Sequence, residues 1–477
     1  MSTRRLACVV AVLLTTALVV APYASAHALQ GRDDLPIPDW LFGWAAAAVL
    51  VVSFLGFALV WREPKLEAEH WRPLPRRISR VLCSTAIEVA CGVVGVGLLG
   101  LTVWSGLAGA RSPTSNFAPT FVFVVFWLGL VAVSLFFGDV YRAFNPWRAI
   151  GRASAWVAQR FSRSPLPAPF PYPAWLGRWP AAAGLFAFAW MELVAPGGAD
   201  PRTVAIAVVV YSVVNFLGML TYGVDRWIDR AEAFSVYFGL FARISPVERR
   251  DDQIGLRRPL SGLTGLEHLP GTVGVLAVMI GATSFDGLGE GAFWEGLAPV
   301  IQGFFTGLGL GDSVANELAY GVGLTACVVF VLAFYLLGIE SVRRISGASR
   351  ADQLATSFVH SLVPIALAYV AAHYVTLLIF QGQAIAALAS DPLGRGWNLF
   401  GTAEWKVDYT LIGATTAWYL QVAFVIVGHV AALALAHDRA IAIYSDSRAA
   451  IRSQYLMLVI MIGFTTFALW LLSESYI

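Results

Sequence analysis

Apolar residues fill long blocks of this chain, and polar residues gather between them. Ten blocks follow the N-terminal region, near residues 39–61, 81–105, 118–138, 180–196, 203–223, 269–284, 320–340, 355–380, 410–436 and 455–474. Runs of this length predict membrane-spanning helices, because roughly 20 residues at 1.5 Å each cover the hydrocarbon core of a bilayer. The expected fold class is an all-α integral membrane protein of about ten transmembrane helices, in contact with the lipid bilayer. The N-terminal apolar block is shorter. Arg4 and Arg5 precede a run from Leu6 to Val20, and Ala24-Ser25-Ala26 ends it with a small-x-small cleavage pattern. Residues 1–26 are expected to be a cleaved signal peptide, leaving 27–477 as a single polytopic domain.

Some stretches depart from the simple pattern. The sixth block, PGTVGVLAVMIGATSFDGLGEG, is short and glycine-interrupted, and APVIQGFFTGLGLG behind it is too short to cross. Region 269–311 thus predicts a short or broken span, and irregular backbone at membrane depth survives only inside protein or against water. Residues 138–161 and 227–244 interleave aromatics with arginines, as helices lying on a membrane surface do. The proline-rich segment 162–175 reads as an extended connector. Five spans followed by five would permit inverted halves, although no residue-level repeat accompanies them.

Composition agrees with the pattern. The 477 residues are 58% hydrophobic and only 13% charged, about half the charge of a soluble domain. The net charge of +2 hides a strong sorting. Segments 62–80, 139–179, 224–268, 341–354 and 437–454 hold 25 of the 32 Lys and Arg, and the alternate segments hold five. The positive-inside rule then places both mature termini outside the plasma membrane. Because topology accounts for the basic residues, no nucleic-acid surface is expected. Asp286, Glu290 and ten other acids face out, either as a solvated surface or as a field drawing cations to an outer mouth. Cys83, Cys91 and Cys327 lie within spans without CxxC spacing and read as small buried residues. No P-loop, HExxH, GxSxG or GxGxxG motif is present in a suitable context.

Candidate chemistry rests on the polar residues inside the blocks: Glu88, Glu192, Asn215, His360, His373, Gln421 and His429. Such residues face a bundle interior and by default mark a functional path. The plainer alternative is that they hydrogen-bond helices together. His360 and His373 share the eighth block, roughly 20 Å apart and on nearly opposite faces, so they are expected to serve separate sites. Pro364 lacks the N–H that would bond the His360 carbonyl, which predicts a kink. The ninth block runs back, so His429 and His437 are candidates to share the level of His360. His373 belongs instead with the acidic outer mouth. Imidazoles here suit a divalent metal or a proton site, and their unequal spacings count against stacked bis-His haem. His27, as a free N-terminal residue, is a further metal candidate beside His360 and His429.

Several segments carry a resemblance. HALQGRDDLPIPDWLFGW (27–44), FNPWRAIGR (144–152), AFSVYFGLFARISP (233–246), TSFDGL (283–288) and HSLVPIALAYVAAHY (360–374) resemble an actinobacterial multi-pass membrane family labelled fenitrothion hydrolase. The resemblance implies cleavage of organophosphate triesters. Such chemistry usually needs clustered His and Asp ligands, which makes Asp286 and His373 the candidate catalytic residues. The residues themselves favour a permease or binding protein for a small solute or metal ion. Glu88, Asn215, His360, His373, Gln421 and His429 are then the candidate binding residues. A non-catalytic assembly partner is the third expectation.

The orientation is directly testable in a variant whose own cysteines are replaced by serine. Glu404→Cys should react with a membrane-impermeant maleimide in intact cells, and Asp251→Cys only after permeabilisation. The reverse labelling would overturn the arginine-based orientation.

Overall fold

Every backbone N–H and C=O in hydrocarbon must pair within the protein, and the apolar blocks accordingly fold as helices. A computed structural model describes residues 39–67, 70–162, 170–346, 351–444 and 447–474. The expected signal peptide and His27 lie outside the described residues. The helices that matter are, in chain order, α1 (Asp39–Val60), α2 (Thr85–Ala108), α3 (Phe117–Phe137), α4 (Pro146–Phe161), α5 (Trp179–Leu193), α6 (Pro201–Tyr222), α7 (Val224–Arg230), α8 (Ala233–Ala242), α9 (Thr272–Gly289), α10 (Ala292–Gly307), α11 (Asp312–Ser346), α12 (Leu362–Gln381), α13 (Ala414–Ile443) and α14 (Ser447–Glu474). Among the described residues, nine helices are long and apolar enough to cross a membrane. The chain is an all-α multi-pass membrane protein.

The expected span near 180–196 is the short one. Helix α5 has 15 residues, about 22 Å at 1.5 Å each. It still accompanies α9 along most of its length. Gly271 abuts the Trp179 backbone at one end, and Glu192 feels the charge of Asp286 near the other. Starts are capped as their sequences suggest. Asn145 caps α4 and Asp200 caps α6, each followed by a proline at the first helical position.

Two expectations change. Region 269–311 is short as expected and divides into α9 and α10, but it is not broken within the span: α9 runs unbroken for 18 residues, and 67% of its apolar window is buried, against 17% for α1. Its glycines serve close packing, since a Cβ on Gly281 would lie 2.6 Å from Val328 Cα of α11. Helix α10 is a separate piece folded back on α11. Nor do residues 227–244 form one surface helix. The chain breaks at Ala231 and Glu232, and α8 enters the bundle with eight of its ten residues buried. AFSVYFGLFA is apolar all round, the mark of a buried helix, and its arginines flank it. Helix α4 does keep an exposed apolar side, with Trp156 and Phe161.

The arginine-rich segments meet at one end of the bundle. Strands β1 (Arg72–Pro73), β2 (Val247–Arg250) and β3 (Gln253–Leu256) pair antiparallel in the order β1-β3-β2. Arg439 Nη2 donates to the Thr264 carbonyl at 2.7 Å, and Arg258 Nη1 to that of Lys65 at 3.1 Å. At the other, acidic end, the Ala110 N–H donates to the Leu393 carbonyl. Helix α1 packs on α13 and α14, so the spans do not sort into a first five and a second five.

Helices α12 and α13 share an extensive seam. A Cβ on Gly428 would lie 2.4 Å from Ala368 Cβ and 2.7 Å from the Pro364 carbonyl oxygen. Just before α12, Val359–Ser361 form a 3-10 turn, at the place where Pro364 removes the hydrogen bond to the His360 carbonyl. Gly428→Ala should therefore destabilise the protein by about 1–3 kcal/mol, read as a lower thermal unfolding midpoint in detergent. An unchanged midpoint would mean the seam can open without loss.

Candidate functional site

The most internal span carries an acid near its end. Helix α12 runs beside α9 and presents two consecutive ring side chains to Asp286. Asp286 Oδ2 accepts from Tyr374 Oη at 2.6 Å and faces His373 Nε2 at 2.9 Å. A carboxylate only accepts, which assigns the hydrogen to Nε2 and leaves Nδ1 as the basic nitrogen of the neutral ring. The Nδ1 edge faces Gly287, where a Cβ would lie 3.7 Å from it. Beside it is a cavity of about 20 Å³, walled by Thr283 of α9, Tyr369 and His373 of α12, Val425 of α13 and Leu471 of α14 among others. That is room for about one water.

Neighbouring elements fix the pair. Over Phe121–Gly129, α3 is wound as a π-helix, a form that recurs at functional sites. Its Trp127 packs edge-on against Tyr374, with ring centroids 4.8 Å apart. Glu192 of α5 and Glu290 stand within electrostatic reach of the pair. Desolvation, and then the Asp286 charge, raises the Glu290 carboxyl above its ordinary range. The His373 ring thus contacts the Asp286 carboxylate and also feels the charge of Glu290.

The other histidines are placed differently from expectation. His429 is fully buried, and its Nδ1 donates to the Val425 carbonyl at 2.7 Å. Its Nε2 is therefore the lone-pair nitrogen, and it is buried with no hydrogen-bond partner. His360 is buried as well. Its Nε2 makes no hydrogen bond of good geometry, although the Leu435 backbone lies close. The two histidines do not share a level. Helices α12 and α13 set Gly428 against Pro364 and Ala368, so His429 meets the Tyr369 ring at 6.4 Å, more than two turns beyond His360. The unpaired His429 nitrogen costs about 1–3 kcal/mol, and a leucine would fill such space without that cost. Among the described residues, no group of three or more His, Cys, Asp or Glu is placed to hold a metal ion. The candidates His360 and His429 are not joined in one there, and His27 lies outside.

Glu88 and Asn215 have structural partners. Glu88 lies in the first turn of α2 and pairs with Arg148 at 2.7 Å and Arg152 at 2.6 Å, both from α4. Asp225 of α7 joins them through Arg152 at 2.9 Å. Asn215 spends both ends of its amide, donating to the Tyr211 carbonyl and accepting from Trp227 Nε1 at 2.8 Å. Gln421 is buried on α13 two turns from His429.

Sequence reasoning passed over two buried carboxylates. Glu232 caps α8, accepting from the N–H groups of Phe234 and Ser235, from Asn145 Nδ2 and from Tyr211 Oη. Burial pushes its carboxyl up, and these bonds oppose the shift. Asp438 of α13 accepts from Trp61 Nε1 and from the N–H groups of Lys65, Leu66 and Glu67. Beside it, the His437 ring nitrogens face the Trp61 carbonyl and Gln454 Oε1. The available signal was position: Glu232 directly precedes an apolar run, where a cap belongs. Comparison with known proteins finds no matching family model, curated protein or solved structure.

Asp438→Ala would strand three backbone donors, each at about 1–3 kcal/mol. Most of the folded yield should be lost on size exclusion, whereas Asp408→Ala, whose bonds are exposed, should match the parent. Equal yields would show that Asp438 is not a structural anchor.

Proposed function

We propose that this chain is a plasma-membrane permease, or a membrane-embedded binding protein, for a small cationic solute. The Asp286–His373–Tyr374 cluster beside its cavity carries this reading. An ionisable pair inside a membrane bundle is costly and tends to lie where ions or solutes pass. The Asp286 carboxylate bonded to His373 favours a positive guest. The cavity favours one about the size of water, such as an ammonium group. Under the orientation expected from the arginines, this mouth opens outward. With no group of three ligands among the described residues, a small ammonium ion is favoured over a metal ion.

Hydrolysis of an organophosphate triester is the second reading. One observation favours it: the bond to Asp286 leaves His373 Nδ1 free to take a proton from a water in the cavity, as a general base does. A cavity of about 20 Å³ admits the water but not a triester, which ranks this reading below transport.

Radiolabelled methylammonium is a suitable probe. Proteoliposomes containing the protein should take it up faster than empty vesicles. Asp286→Asn and His373→Ala should reduce uptake by about tenfold, with unchanged yield and with Glu404→Gln as a silent control. Uptake no faster than in empty vesicles sinks the transport reading. Release of nitrophenol from a phosphotriester, lost in Asp286→Asn, would promote the second.

A further inference from the structure

Helices α5 and α9 run parallel, and their starts lie together at the arginine-rich end. The Arg178 N–H donates to the Pro270 carbonyl at 2.7 Å, and a Cβ on Gly271 would lie 2.6 Å from the Trp179 nitrogen. Neither start has a capping side chain, unlike those of α4, α6 and α8. Among the described residues, the first-turn N–H groups of Ala181, Val273 and Gly274 have no backbone acceptor. Two helices of 15 and 18 residues thus bring the positive ends of their dipoles to one place.

A buried guanidinium stands there too. Arg178 is 7% exposed, and its Nη1 donates at 3.1 Å to the hydroxyl of Thr272, the first residue of α9. None of its other side-chain N–H groups has a partner among the described residues, and Nε is buried. Other deep arginines meet a carboxylate. Arg148 pairs with Glu88 at 2.7 Å, Arg257 with Glu248 at 2.8 Å and Arg439 with Glu67 at 3.1 Å. Arg178 has no such pair among the described residues. Burial, and then Arg243, lowers its pKa to about 10, which still leaves it charged at neutral pH. Arg243 and Arg230 both lie within its electrostatic reach. Arg243 gives its Nη1 to the Gly262 and Gly265 carbonyls rather than to an acid. Among the described residues the one carboxylate in that range, Glu267, is exposed and already pairs with Arg230 at 3.0 Å. The positive charge here exceeds the negative, and taking a cation out of water without a counter-charge is costly.

We infer that the adjoining starts of α5 and α9 form an anion site, in which Arg178 holds a phosphate group. The guanidinium supplies a planar set of donors that matches phosphate oxygens. The two helix starts add N–H groups and dipole charge, and Arg243 and Arg230 add attraction at longer range. Trp175 and Trp179 beside it are exposed, as rings at headgroup depth are. A lipid phosphate and free inorganic phosphate both reach that depth. The site lies at the opposite ends of α5 and α9 from Glu192 and Asp286, and it does not depend on the permease reading.

The test uses the full-length protein in a non-ionic detergent, with the thermal unfolding midpoint read at constant ionic strength. Two probes are titrated: inorganic phosphate against chloride, and phosphatidylglycerol against phosphatidylcholine in mixed micelles. The parent should show a saturable rise with at least one probe. A rise with phosphatidylglycerol alone assigns the lipid phosphate, one with inorganic phosphate alone assigns the free ion, and a rise with both assigns the phosphate group itself. Arg178→Gln should weaken the binding about tenfold, whereas Arg226→Gln, an exposed arginine of the same end, should bind like the parent. No saturable rise with either probe would overturn the site. Parent-like affinity in Arg178→Gln would do the same, as would an equal loss in Arg226→Gln, which marks diffuse surface charge. If Arg178→Gln fails to fold, Arg178→Lys decides, because it keeps the charge and loses the planar fork. It should bind several-fold more weakly, and unchanged affinity there would overturn the site.

Discussion

A carboxylate inside a membrane bundle has to be met by donors, because no bulk water is there to solvate it. Three buried or half-buried carboxylates organise this fold on that condition. Asp438 gathers the segment after α1 onto α13 through one indole and three backbone N–H groups. Glu232 turns the chain from the arginine-rich end into the bundle by capping α8. Asp286 joins α9 to α12 through a phenol and an imidazole. The first two carry donors on both oxygens, whereas the third holds both of its donors on one oxygen and borders a cavity. That difference separates structural anchors from the candidate site.

Packing then decides where the site can be. Gly281 lets α11 close on α9, and Gly428 lets α13 close on α12. The π-helical turns of α3 place Trp127 against Tyr374. The polar side chains of α9 and α12 are thereby kept from lipid and aimed at one another. His429 lies on the α12–α13 seam with its Nδ1 bonded to the Val425 carbonyl and its Nε2 buried without a partner.

Part of this was legible beforehand. Asp286 and His373 were assigned to one mouth from helix direction and phase alone, and the structure puts them 2.9 Å apart. Periodicity could not tell that 227–244 splits, because the decisive break is a single capping residue, Glu232. The glycines of 269–289 suggested breakage, yet glycine in a membrane helix serves close approach as readily as irregularity. Glu88 looked isolated because its partners, Arg148 and Arg152, lie on a different helix. His429 and His360 were matched by helical rise, and the actual register of the α12–α13 seam set them more than two turns apart.

The sequence by itself determined the membrane class, nearly all of the spans and the sorting of arginines, since hydropathy and charge act locally and each block answers to the bilayer alone. Tertiary structure decided which polar side chains meet. Asp286 with His373 and Tyr374, Glu88 with the arginines of α4, and His429 with Tyr369 all follow from which helices touch and at what height. Small residues such as Gly428 and Gly281 set that register. Their effect appears only when a second helix arrives, and no single segment contains it.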